Sequence, residues 1–263
     1  MRIFYRLFSI NKIPNRISME YIPIKTRVVL PPRDDLFAVM DESLNDFASG
    51  DILVVTSKVV SIHYGRCIPI KSSPDKSELI RQEAHSAPVR HTVAGHEFSL
   101  TITHNTLLPS AGIDESNSNG YYTLLPEDPF AAAREIFSYL RERFSVQNGG
   151  VIISDSHSLP LRYGVVGVAL GWWGLSPLRD YTGTNDLFGR RLHFARSNIV
   201  DAVSAGAVLA MGEGAEMQPL CIVRGVEGVT FTDTDTRAEL YIPPHDDLYA
   251  PLLRVFGNRI GGK

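Results

Sequence analysis

Three acidic residues follow apolar stretches of the sequence, at positions that often line a cleft. Asp155 follows the apolar run "VIIS", Asp114 lies in the glycine-bounded stretch "SAGIDESNSNG", and Glu213 comes just after an apolar helix pattern. A carboxylate in such a place loses hydration unless it gains a cation or hydrogen-bond donors. Three oxygen ligands from separate segments suit Mg²⁺ or Mn²⁺, which bind carboxylates together with substrate phosphates. Spacing alone does not bring the three together, and each acid taken singly is more typical of a cap or a surface residue.

Two further stretches are suited to binding a phosphate. In "MGEGAEMQ" (211–218) the glycines allow close backbone approach, so that N–H groups can surround an anion. The alternative is that Gly212 only ends the preceding helix. In "VTSK" the residues Ser57 and Lys58 offer donors to an anion, and a turn at the end of a strand is an equal alternative.

A set of arginines and one histidine complete the candidates. Arginine binds carboxylates in a bidentate manner, and the candidates are Arg162, Arg179, Arg190, Arg191 and Arg224. Most arginines of this kind are surface or ion-pair residues. His157, beside the end of a predicted strand, is suited to act as a ligand or base, although a single histidine at such a place usually does neither.

The pattern of apolar residues predicts the elements that carry these side chains. Strands are predicted at 21–30, 50–61, 149–157 and 220–226, where β-branched residues alternate or run continuously. Helices are predicted from Pro31 onward, over 124–144, and from a cap at Ser197 or Asn198 to Gly212. The glycine-rich "GVVGVALGWWG" (164–174) resembles a loop, but its small apolar residues are better explained by tight packing.

Strands and helices are mixed without strict alternation, which favours an α+β fold with mixed sheets and packed helices over a doubly wound fold. Residues 1–18 are interpreted as an N-terminal extension and 19–263 as a single domain of the 263-residue chain. The templates of common nucleotide, zinc and serine enzymes, such as a Walker loop or His-Glu-x-x-His, do not occur in the sequence.

Composition narrows the class of protein. The net charge is −3 and no run of five basic residues occurs, so nucleic-acid binding has no electrostatic basis. No stretch reaches the roughly 18 apolar residues that span a bilayer, so no membrane partner is expected. Cys67 and Cys221 match no zinc or redox spacing, which makes a reducing, cytoplasmic setting the expectation.

Six short motifs then occur in the order found in one enzyme family. They are "GDILVVTSKVVS", "SAGIDESN", "LLPEDP", "VIISDS", "LRDYTGTNDLFGR" and "AVLAMGEGAEMQPLCIVRG". On these motifs, residues 22–226 resemble the coenzyme F420-0:L-glutamate ligases, also called F420-0:γ-glutamyl ligases. The resemblance implies the family's unusual α+β fold, a homodimer, and GTP- and divalent-metal-dependent ligation of L-glutamate to a pterin- or deazaflavin-type acceptor through an acyl phosphate.

The resemblance also implies roles for individual residues. Asp114 and Asp155 correspond to ligands of a first Mg²⁺ or Mn²⁺, and Ser156, where the family has threonine, and Glu213 to ligands of a second. The implied nucleotide contacts are Lys25, Thr26, Arg27, Val28, Ser57, Lys58, Asn117, Met211, Gly212, Gly214, Ala215, Glu216, Met217 and Gln218. No catalytic residue is implied beyond the metal ligands.

Three departures from the family pattern leave the acceptor open. Ile62 stands where the family has lysine, Val166-Gly167 replace Thr-Asp, and "PSAG" replaces "ANAG" before Asp114. The predicted function is therefore ligation of glutamate to F420-0 or to another acceptor, with folate polyglutamylation as the alternative. A non-catalytic GTP-binding homologue is the remaining hypothesis.

Overall fold

The computed structural model describes residues 19–86, 88–93 and 95–256, so the predicted extension 1–18 lies outside it. The strands are β1 Glu20–Ile24, β2 Ile52–Thr56, β3 Cys67–Pro69, β4 Val89–Val93, β5 His96–Thr103, β6 Thr106–Pro109, β7 Tyr121–Thr123, β8 Gly150–Ser158, β9 Val165–Trp173, β10 Leu178–Asp180, β11 Arg196–Asn198 and β12 Leu220–Arg224. The α-helices are α1 Leu36–Ser43, α2 Ser57–His63, α3 Lys76–Glu83, α4 Pro129–Phe144, α5 Ile199–Met211, α6 Arg237–Leu240 and α7 Ala250–Leu253. None of the helices in these ranges is long and apolar enough to cross a membrane.

The central sheet has the strand order β1-β12-β2-β8-β9. Only the β2–β8 pair is parallel, and the other neighbours are antiparallel. Helices α1 and α4 cover one face, where Leu53, Val55 and Ile153 are buried, and α5 covers the other, where Val54 and Ile152 are buried. Burial on both faces explains why these strands read as continuous apolar runs. The mixture of sheets and helices confirms the predicted α+β class.

Residues 66–125, which we call the insertion, connect α2 to the segment before α4. They contain the β3–β7 pair and the three-stranded sheet β4-β5-β6, together with α3. The insertion has an apolar cluster of its own, built by Leu79, Ile80, Ala111, Ile113 and Leu124. Its end returns to its beginning, since Leu124 N–H donates to the Arg66 carbonyl. The insertion therefore presents its loops to the central sheet as one packed unit.

Two predicted strands are shorter in the structure. The strand predicted over 50–61 ends at Thr56, and α2 begins at Ser57. Short apolar runs such as this one fit a buried strand or a buried helix equally well, so periodicity could not find the boundary. The strand predicted over 21–30 ends at Ile24. Its continuation leads to helix α1, which is capped by the Asp35 carboxylate rather than started by proline.

The later elements lie close to their predicted positions. Helix α4 begins at Pro129, behind an Asp128 side chain that accepts from two backbone N–H groups. Helix α5 is capped by Asn198 and ends at Gly212. The stretch 164–174 contains strand β9, and tight packing explains Gly167, Gly171 and Gly174, whereas Gly164 lies in open space with a φ of 90°. A Cβ on Gly167 would lie 2.3 Å from the Ser204 carbonyl oxygen of α5.

Candidate functional site

One edge of the central sheet gathers most of the predicted site segments. In the observed strand order, the ends of β1, β2 and β8 and the start of β12 all lie at this edge. Two backbone hydrogen bonds tie the following residues together, from Thr26 to Met217 and from Thr56 to Pro219. The edge therefore places residues 25–26, 57–58, 155–156 and 212–218 at the same end of the sheet, and we call the region between them the opening.

Asp114 reaches this opening from the insertion. Its backbone pairs with Thr123 through two hydrogen bonds, which fixes the loop that carries it. The Asp114 carboxylate lies 2.6 Å from Lys58 Nζ. Ser116 completes the group, because its N–H and Oγ donate to the two Asp114 oxygens at 2.7 and 3.0 Å.

The neighbours of Asp114 favour its charged form. Burial raises the pKa of Asp114, but the Lys58 ammonium and the Ser116 donors outweigh it and leave the pKa below the usual value. The sequence predicts Ser116 as scaffolding of this loop and does not place it among the site residues. Its Asp-x-Ser spacing is the signal that could have found it, since an aspartate often accepts from the backbone two residues on.

Asp155 and Ser156 are supplied by β8. Burial, together with the negative charges of Asp114 and Glu213, raises the pKa of Asp155 to about 7, against the lowering effects of the Ser156 N–H and Lys58. The Ser156 hydroxyl lies 3.4 Å from Glu213 Oε2. Burial raises the pKa of Glu213 as well. The three carboxylates therefore share one electrostatic environment, as the sequence alone could not establish.

The loop after α5 closes another side of the opening. Gly212 ends the helix with a positive φ of 83°, and Gly214 N–H donates to Glu216 Oε2 at 2.8 Å. The Glu216 carboxylate thus occupies the concave side of the loop that was predicted to surround a phosphate. Asn117 of the insertion donates its side-chain amide to the Gly214 carbonyl at 3.0 Å. This contact joins the insertion to the loop after α5.

Several predicted contact residues have other partners in the structure. Arg27 binds Asp34 at 2.6 Å and lies 3.2 Å from Glu42. Met211, the last residue of α5, is buried in the core. Arg224 forms a two-point ion pair with the buried Asp51, at 2.9 and 2.6 Å. Of the arginine candidates, Arg224 is therefore an ion-pair residue that stabilises the sheet.

Ile62, which stands where the family has lysine, lies in an apolar environment. Ile62 follows Lys58 by one helical turn in α2 and is 2% exposed. Position 62 therefore supplies buried apolar surface, and Lys58 is the charged side chain of α2 at the opening.

His157 is half-buried, and burial lowers the pKa of its imidazole.

The donor chemistry fits divalent metals that prefer oxygen. Asp114, Asp155, Ser156 and Glu213 offer only carboxylate and hydroxyl oxygens. Across residues 19–86, 88–93 and 95–256, no three His, Cys, Asp or Glu side chains are grouped as ligands of a single ion. Mg²⁺ usually keeps several waters and binds to a protein through one or two carboxylates together with substrate phosphates.

Comparison with known proteins agrees with this architecture. The model of the F420-0:Gamma-glutamyl ligase family matches residues 23–225. The chain is 35% identical over 204 residues to the coenzyme F420:L-glutamate ligase of Methanothermobacter thermautotrophicus, covering 72% of this chain and 81% of the relative. It is 35% identical over 229 residues to the enzyme of that name from Methanopyrus kandleri, covering 80% and 88%. The chain belongs to the F420-0:gamma-glutamyl ligase family.

Proposed function

We propose that this protein is a GTP- and divalent-metal-dependent ligase that joins L-glutamate to a carboxylate-bearing acceptor of the F420-0 type. The observation that carries the proposal is the convergence of Asp114, Asp155 and Glu213 beside Lys58 and the 211–218 loop. The relatives described above are coenzyme F420:L-glutamate ligases by name, which supports the same reaction.

The proposed reaction has two steps. An acceptor carboxylate oxygen attacks the γ-phosphorus of GTP, which releases GDP and leaves an acyl phosphate. The amine of L-glutamate then attacks the acyl carbon, and an amide bond forms as phosphate leaves and the amine loses a proton. Bound Mg²⁺ or Mn²⁺ would neutralise charge on the phosphate oxygens.

The residues of the chain would position the reactants. Asp114 and Asp155 would hold one metal, and Ser156 and Glu213 a second. Lys58 would donate to a phosphate oxygen, and the backbone of the 211–218 loop would contact the nucleotide once the Glu216 carboxylate has moved aside. In such phosphoryl transfers most of the catalysis comes from positioning and electrostatics.

Glutamate incorporation by the purified full-length chain tests this function. We expect a product heavier by one glutamyl residue when F420-0, L-glutamate, GTP and Mn²⁺ are supplied, detected by mass spectrometry. The Asp155→Asn variant should lose at least about a hundredfold in rate, because it removes a charged metal ligand. Omission of the metal should have the same effect.

Parallel reactions separate the remaining hypotheses. Product from tetrahydrofolate but not from F420-0 would make folate polyglutamylation the function, and ATP in place of GTP would identify the nucleotide. Nucleotide binding with no product from either acceptor would favour a non-catalytic homologue.

We also propose that the chain forms a homodimer. Three large apolar side chains of the loop between β10 and β11 are almost fully exposed, namely Leu187 (97%), Phe188 (95%) and Phe194 (93%). Exposed aromatic side chains grouped on one loop are typical of a protein interface.

A further inference from the structure

We propose that Lys58 occupies the place of a cation at Asp114 in the ligand-free protein and leaves it to a divalent metal when a nucleoside triphosphate binds. The proposal rests on the function proposed above, because it requires Asp114 to be a metal ligand. The proposal adds a second role for Lys58. Its ammonium group occupies the metal position before the nucleotide binds and contacts phosphate afterwards.

The contacts of the ammonium group define this resting position. Lys58 Nζ lies 2.6 Å from Asp114 Oδ2, 2.8 Å from the Ser116 carbonyl oxygen and 3.2 Å from Ser116 Oγ. An ammonium group has three protons to donate, so these three oxygens satisfy it. The three acceptors therefore fix the position of the Lys58 ammonium group, unlike that of a lysine exposed to solvent.

At Oδ2 of the Asp114 carboxylate, a metal ion and the Lys58 ammonium compete for the same place. Ser116 N–H occupies Oδ1, while Ser116 Oγ and Lys58 Nζ both lie against Oδ2. A metal placed on Oδ2 would meet a positive ammonium at a few ångströms, where like charges repel strongly. Metal binding at Oδ2 consequently requires Lys58 to move.

A bound triphosphate offers new hydrogen-bond acceptors to the Lys58 ammonium group. Phosphate oxygens are strong acceptors for an ammonium group, and a lysine freed from Asp114 can bind them while the metal takes the carboxylate. The 211–218 loop shows the same principle with opposite charge, since the Glu216 carboxylate lies on the Gly214 N–H. The opening is thus neutralised from within, by Lys58 beside the Asp114 carboxylate and by Glu216 beside the Gly214 N–H.

This exchange makes metal and nucleotide binding cooperative. Metal alone must displace Lys58 without offering it a partner, whereas metal with triphosphate offers one. By linkage, each ligand then strengthens the binding of the other by the same factor.

Mn²⁺ binding to the nucleotide-free protein tests the exchange directly, by electron paramagnetic resonance of the free ion. We expect Lys58→Met to bind Mn²⁺ about two- to fivefold more tightly than the wild type, since a competing ion pair of ordinary strength is removed. The same variant should bind the β,γ-imido analogue of GTP with Mn²⁺ more weakly.

Lys76→Met is the matched control. Lys76 forms an ion pair with Glu115, next to Asp114 in the same loop, so its loss removes an equal charge without freeing Asp114. We expect the Mn²⁺ affinity of this variant to change less than about twofold, because exposed charges act weakly through solvent. Lys58→Gln serves if Lys58→Met shows a disturbed circular dichroism spectrum.

The outcomes separate the exchange from the metal site. Equal Mn²⁺ affinity in the wild type and Lys58→Met, with weaker binding in Asp114→Asn, would overturn the exchange and leave the metal site standing. Equal tightening in Lys58→Met and Lys76→Met would also overturn it, as a general charge effect. Absence of Mn²⁺ binding in every protein would overturn the metal site, and the exchange with it.

Discussion

Asp155 and Ser156 are neighbours in the chain but face different partners. Side chains alternate across a strand, and in β8 the residues Val151 and Ile153 face the α1–α4 side while Ile152 faces α5. Asp155 continues the first row and Ser156 the second. Ser156 therefore meets Glu213, which follows α5, and Asp155 faces the other way. One strand thus serves two adjacent positions of the opening.

His104 is a second residue whose environment has a measurable effect. It lies in the turn between β5 and β6 with a φ of 50°, and its ring centroid is 5.2 Å from that of His85. Burial, with a contribution from His85, lowers the pKa of His104 to about 4. The folded protein therefore holds this imidazole neutral over a pH range in which the unfolded chain binds a proton.

This difference predicts a loss of stability in mild acid. Above about pH 6.5 both states are neutral at His104, and as the pH falls toward 4 the unfolded state gains a proton that the folded state excludes. The free energy of unfolding should fall by about 1–2 kcal/mol between pH 7.5 and 5 on account of this group. Urea unfolding of the wild type and His104→Asn at both pH values measures it, because asparagine tolerates the left-handed backbone.

Between pH 7.5 and 5, the free energy of unfolding should fall less in His104→Asn than in the wild type. His245 is exposed, so His245→Asn should keep the wild-type slope. An identical slope in His104→Asn would contradict the assignment to His104.

At the scale of elements, the contact between α5 and β9 explains a departure from the family pattern. That pattern has Thr-Asp where this chain has Val166 and Gly167. Gly167 lies so close to α5 that a Cβ would stand 2.3 Å from the Ser204 carbonyl oxygen and 2.7 Å from a Val208 methyl. Val166 is 37% exposed. The glycine therefore belongs to the packing of the helix on the sheet, whereas position 166 borders solvent.

Restoring the family residues at positions 166 and 167 should therefore change the stability of the fold to different extents. We expect Gly167→Asp to lower the free energy of unfolding by more than about 2 kcal/mol, because a side chain must force α5 away and bury a carboxylate. Val166→Thr should change it by less than about 0.5 kcal/mol. Thermal unfolding, followed by circular dichroism, measures both changes in stability. An unchanged free energy of unfolding in Gly167→Asp would contradict this prediction and show that α5 can shift to admit a side chain.

Elements with local signals were predictable from the sequence, and their meeting point was not. Helix α5 was found with its cap and its Gly212 stop, since caps act over a few residues. The end of β2 at Thr56 was missed because valines suit both a strand and a buried helix. The convergence of Lys58, Asp114 and Asp155 depends on strand order and on the docking of the insertion, which no local pattern encodes. Only the resemblance to the family joined them in advance.

At the scale of the whole molecule, the exposed loop 181–195 is unlike the rest of the surface. Leu187, Phe188 and Phe194 have little contact with their own chain, so their substitution should not affect folding. We expect sedimentation to give twice the 29.1 kDa chain mass for the wild type. The double variant Phe188→Ser, Phe194→Ser should sediment as a monomer.

Leu248→Ser is the control for this experiment, since Leu248 is an exposed leucine (85%) in a different segment. It should leave the mass unchanged. A monomeric wild type, or a double variant that stays dimeric, would contradict a dimer through this loop.

The central position of β2 has a consequence for synthesis of the chain. Its neighbours β8 and β12 are both made later, and the ion pair that ties the start of β2 to the end of β12 joins residues 173 positions apart. At about 5–20 residues per second a ribosome needs roughly 10–35 s to cover that distance. Until then the apolar edges of "ILVVT" have no partner strands and are open to pairing with other nascent chains. The yield of folded protein should therefore rise when growth temperature is lowered or chaperones are supplied during translation.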